Sequence, residues 1–64
     1  MKVYNGWVLK VGNQEQTVIG SMKIRGNQSY ILKNAHGEKT SISRDVLLSQ
    51  MNSKNIEYVR SVAV

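Results

Sequence analysis

The hydrophobic period of this chain changes at Ser43. Up to about Thr40, apolar and polar residues alternate with the period of two that a pleated strand imposes. From Ser43 to Met51 the apolar positions fit one short helix, and from Ile56 to Val64 the alternation returns. Strands, then a helix, then a closing strand confine the chain to an α+β, mostly β, fold. The pattern says far less about chemistry.

Turn residues divide the first part. Val3 to Val11 is the first predicted strand, with Val3, Asn5, Trp7, Leu9 and Val11 on one face and Tyr4, Gly6, Val8 and Lys10 on the other. Gly12-Asn13-Gln14-Glu15 is a polar break of hairpin length. Gln16 to Arg25 follows, with Val18, Gly20, Met22 and Ile24 opposite Thr17, Ile19, Ser21, Lys23 and Arg25. Gly20 is a candidate bulge or close crossing. After Gly26-Asn27-Gln28, a third strand runs from Ser29 to Asn34 with Tyr30 and Leu32 inward. Asn34-Ala35-His36-Gly37 suits a type I turn, with Asn first and Gly fourth. Lys39 to Ile42 completes a meander of antiparallel hairpins.

Ser43 is a candidate N-cap, and Asp45 places negative charge in the helix's first turn. Leu47, Leu48 and Met51 make one apolar stripe. So short a helix is marginal alone and holds only by docking that stripe. Asn52 to Asn55 ends it. In Ile56 to Val64, Ile56, Tyr58, Val62 and Val64 lie opposite Val59 and Ala63, which predicts a strand covered on both faces. The expected architecture is a single domain, residues 1–64. Its antiparallel sheet of four or five strands is curled or closed into a small barrel with one helix, in the order β-β-β-(β)-α-β.

Composition removes several functions. The chain has no cysteine and one histidine, His36, so thiolate metal sites, disulfides and all-histidine metal sites are excluded within one copy. No metal or cofactor is expected. No apolar run has signal-peptide or membrane-spanning length, so a cytoplasmic protein without a membrane partner is expected. Glu15, His36 and Glu38 fall in turns, Asp45 at the helix start and Glu57 on an exposed strand position. Only His36 beside Glu38 has the spacing of an acid–base pair, and a solvated turn histidine accounts for His36 more simply, so a non-catalytic protein is expected.

Nine Lys and Arg against four Asp and Glu give a net charge of +5, which attracts acidic partners. Simple alternation places Lys10, Lys23, Arg25 and Lys33 on the face away from the core, with Tyr4 beside them. That face is the candidate binding surface. It suits acidic groups on a protein, or single-stranded nucleic acid with Tyr4 as the one stacking ring. Trp7 and Tyr30 read as core. The apolar closing segment makes Tyr58, Val62 and Val64 candidates for self-association.

The stretch Tyr30-Ile31-Leu32-Lys33-Asn34-Ala35-His36-Gly37-Glu38-Lys39-Thr40, followed by Ile42-Ser43, Leu47-Leu48 and Ile56, resembles a layout found in small β-rich accessory proteins of bacterial phages and other mobile elements. The likeness covers about half the chain and implies a small binder acting on another protein. It carries over no functional residue. The resulting expectation is a binding module occupying a protein surface. A nucleic-acid-binding β domain and a small homo-oligomeric structural protein remain as alternatives.

Overall fold

A computed structural model describes residues 2–64. Its elements are β1 (Trp7–Val11), β2 (Gln14–Ile24), β3 (Asn27–Asn34), β4 (Lys39–Ser43), α1 (Arg44–Asn52) and β5 (Ile56–Ser61). The strands form one five-stranded sheet in the order β4-β3-β2-β1-β5. All pairings are antiparallel. The sheet is open, not closed into a barrel: β4 and β5 are its two edges. Helix α1 joins those edges and contacts β3, β4 and β5.

The hairpin turns follow the turn residues. Val11 opposes Gln14, so Gly12 and Asn13 form a two-residue loop, with Gly12 at φ +64°. Asn34 organises the β3–β4 turn. Its carbonyl accepts from the Gly37 N–H at 3.0 Å, and its side-chain oxygen accepts from the His36 and Glu38 N–H groups at 2.9 and 3.0 Å. Ser43 caps α1, its hydroxyl accepting from the Val46 N–H at 3.2 Å. A cap of this kind contributes about 1 kcal/mol.

Leu9, Val18, Tyr30, Leu32, Leu47 and Ile56 make the core, with Val3, Trp7, Val11, Ile42 and Met51 packed against it. Each strand except edge strand β4 supplies a buried residue, and α1 supplies only Leu47. Leu48 and Met51 are half-buried, so the predicted stripe docks through its centre.

Four expectations are corrected. First, β1 begins at Trp7, not Val3. The Trp7 N–H returns to the Tyr4 carbonyl at 3.2 Å and Gly6 adopts φ +94°, so the Asn5-Gly6 pair makes a turn. Second, the register of β2 on β3 shifts between Val18 and Gly20. Val18 opposes Leu32, but beyond the extra residue Ser21 opposes Tyr30. A one-residue insertion turns every later side chain over. Met22 and Ile24 therefore leave the core face and are 47% and 40% exposed. Third, Arg25 lies in the β2–β3 turn at φ +52°, not in the strand. Fourth, β5 is an edge strand with Ile56 alone buried, not a strand covered on both faces.

Candidate binding surface

Residues directly opposite on antiparallel strands share a face. Thr17 opposes both Val8 and Lys33, Lys33 opposes Lys39, and Val8 opposes Arg60. Lys10, two residues beyond Val8, is on the same face. This face thus carries Lys10, Lys33, Lys39 and Arg60. The expected basic surface is split: Lys10 and Lys33 share it, whereas Lys23 opposes Gln28 on the Tyr30 side and Arg25 sits in the turn. Tyr4 lies outside any strand. The bulge at Ile19 is the physical cause for Lys23, and the turn at Gly6 for Tyr4.

Much of that face is neutralised. Lys10 has Glu15 on one side and Glu57 on the other. The Arg60 guanidinium donates to a Glu15 carboxylate oxygen at 2.8 Å, spanning β1 from β5 to β2. Both side chains are about half exposed, so the pair adds little stability. The hydrogen bond from Arg60 holds the Glu15 carboxyl below its ordinary range, assisted by the charges of Arg60 and Lys10, and raises Arg60 in turn. A depressed carboxylate stabilises the fold above its ordinary value and loses that contribution as pH falls through the depressed one. Carboxyl-detected NMR should show Glu15 titrating at lower pH than in an Arg60→Gln variant. An unchanged midpoint would mean the ion pair does not persist in solution.

The most concentrated surface feature lies elsewhere. The Tyr4 and Trp7 ring centroids are 6.0 Å apart, and those of Trp7 and Tyr58 are 4.9 Å apart in an edge-to-face arrangement. Tyr58 opposes Leu9, and Ser61 opposes Trp7, so both are on the core side of the sheet at its β5 edge. The Tyr58 hydroxyl is 2.8 Å from the Ser61 hydroxyl, which holds the ring in place. Tyr4 is 57% and Tyr58 48% exposed, while Trp7 is half-buried between them. Gly6 ties the region together. Its N–H donates to the Val18 carbonyl at 2.7 Å, and its carbonyl accepts from the Val62 N–H at 2.8 Å.

Of the candidate self-association residues, the structure places Tyr58 in this cluster and Val62 beside Gly6, with Val62 41% and Val64 73% exposed. Trp7 packs against the core as expected and also bridges Tyr4 and Tyr58. The Asn5-Gly6 turn signal, read as the end of a segment, would have brought Tyr4 back beside Trp7.

There are two shallow depressions of about 230 and 220 Å³, and only the first has a mainly polar lining. The first lies at the start of α1, between Gln28 and Asp45; the other lies between Glu15 and His36. Among the described residues, no group of three or more His, Asp and Glu side chains is placed to hold a metal ion, and no helix is long and apolar enough to cross a membrane. No protein-family model matches the chain, and comparison with curated proteins and with solved structures finds no match. The functional reading therefore rests on this geometry.

Proposed function

We propose that the chain is a non-catalytic binding module that occupies a surface of a protein partner, with Tyr4, Trp7 and Tyr58 as its anchor. The exposed aromatic cluster carries this reading. Tyrosine and tryptophan offer large, rigid, amphipathic area at low entropic cost, and such side chains dominate the energy of protein interfaces. The Tyr58–Ser61 contact and the packing of Trp7 between two rings fix the cluster before binding, which lowers the cost of association. A small cytoplasmic accessory protein of the phage or mobile-element type would act in this steric manner.

Nucleic-acid binding is less well supported, because the cations assigned to one face are divided and Lys10 lies between two carboxylates. Affinity capture from the native lysate, with and without nuclease, tests the choice. A protein captured by the native chain should survive nuclease and be lost, by about tenfold or more, with Tyr4→Ala/Tyr58→Ala. Both side chains are about half exposed, so the variant should keep its fold. Capture abolished by nuclease, or unaffected by the double substitution, would overturn the proposal.

A further inference from the structure

The β2–β3 hairpin carries a second surface, independent of the aromatic cluster. Strand β2 has 11 residues, but β1 pairs only with Gln14–Thr17. One further contact, the Gly6 N–H on the Val18 carbonyl, extends the junction. Beyond it, Ile19 is the extra residue of the bulge and Gly20–Ile24 pair with β3 on one side and, among the described residues, with no strand on the other. Every residue from Ser21 to Asn27 is exposed. An unpaired strand edge presents a row of N–H and C=O groups that can template another strand.

The free stretch of β2 is as short as β4, carries Lys23 and follows a bulge, but unlike β4 it exposes two large apolar side chains, Met22 and Ile24. Strand β4 is five residues long and opens on Lys39. Strand β5 is interrupted by a register shift opposite Val8 and Leu9, and its Arg60 is held across the sheet by Glu15. Past Gly20, β2 runs without interruption to Ile24, with Met22 and Ile24 alternating against Ser21 and Lys23.

Charge selects the occupant. Residues 16–37 contain Lys23, Arg25 and Lys33 and no Asp or Glu. A second copy pairing antiparallel along this edge would set Lys23 opposite Gly20 and gather two Lys23 and two Arg25 side chains on one ribbon with no carboxylate from residues 16–37 to offset them. A nucleic acid would find no exposed ring to stack on, since the hairpin's Tyr30 is 7% exposed. We infer that the free edge of β2, residues Ile19–Ile24, binds an extended acidic segment of a partner protein by strand addition. Main-chain hydrogen bonds hold the segment, its alternate apolar side chains cover Met22 and Ile24, and its carboxylates face Lys23 and Arg25.

The test is an NMR titration of the full chain with a capped synthetic peptide alternating Val and Glu. The amides of Ile19–Ile24 should shift and become protected from exchange. Methylating alternate peptide nitrogens should abolish binding while leaving its charge intact. Lys23→Glu/Arg25→Glu should weaken the Glu peptide by about tenfold or more and favour a Val–Lys peptide instead. Shifts confined to Tyr4, Trp7 and Tyr58, binding insensitive to backbone methylation, or a preference for duplex or single-stranded DNA over the peptide would each overturn the inference. Because Tyr4→Ala/Tyr58→Ala leaves the β2 edge intact, that variant should bind the peptide normally, separating failure here from failure of the aromatic anchor.

Discussion

Gly6→Ala is expected to unfold a large fraction of the molecule. Gly6 sits at φ +94°, and a Cβ built there runs into the Val62 carbonyl oxygen. A non-glycine residue forced into such a conformation costs about 1–3 kcal/mol. Displacing the packed backbone costs about 1–3 kcal/mol more. A domain of this length has only about 3–10 kcal/mol in total, at 0.05–0.15 per residue. The obstructing group is backbone, so relief requires moving the segment after β5 and its hydrogen bond to the Gly6 carbonyl. Gly12→Ala is the control. Gly12 also has positive φ, +64°, but among the described residues nothing beyond its chain neighbours lies within 4 Å of its added Cβ. Urea unfolding should show Gly6→Ala losing clearly more stability than Gly12→Ala. Equal losses would mean that backbone conformation alone, not the approach of Val62, makes glycine necessary at residue 6.

Leu47→Ala should be nearly as damaging, by about 2–5 kcal/mol. Leu47 is fully buried and is the helix's only buried residue. A nine-residue helix is below the length at which helices persist alone, so α1 depends on that anchor. The helical circular-dichroism signal and the urea midpoint should fall together. Val46→Ala, one residue away at a side chain 50% exposed, should change stability by no more than about 0.5 kcal/mol. If Leu47→Ala behaves like Val46→Ala, the helix is held by something other than its docked stripe.

The two substitutions mark opposite ends of what local sequence reveals. Leu47 is legible: Ser43, Asp45 and the Leu47–Leu48–Met51 spacing announce a capped helix with one apolar side, and the structure has it at Arg44–Asn52. The Asn34–Gly37 turn and the short strand after it are legible for the same reason, because their determinants lie within four residues of one another. Gly6 is not. Its requirement comes from Val62, far away in sequence, whose approach depends on β5 returning to pair with β1.

The candidate surfaces divide in the same way. Alternation counted Lys10, Lys23, Arg25 and Lys33 onto one face. One extra residue in β2 moved Lys23 to the other, and a two-residue turn removed Arg25 from the strand. Gly20 hinted at a bulge, but where the parity changes is settled by pairing with β3. The aromatic cluster needed two events that no window of sequence contains, a turn at Gly6 and the arrival of β5 beside β1.

The sequence by itself determined the class of elements, their order and most turns, because hydrophobic period, capping and turn chemistry act over a few residues. It also determined the charge and the lack of cysteine. Only the tertiary structure decided that the sheet stays open in the order β4-β3-β2-β1-β5. Only it decided that Tyr4, Trp7 and Tyr58 meet at one edge while β2, paired with β3 from Gln16 onward, meets β1 only over Gln14–Thr17. Those outcomes depend on register and on long-range strand pairing, where a single inserted residue reverses every side chain that follows it.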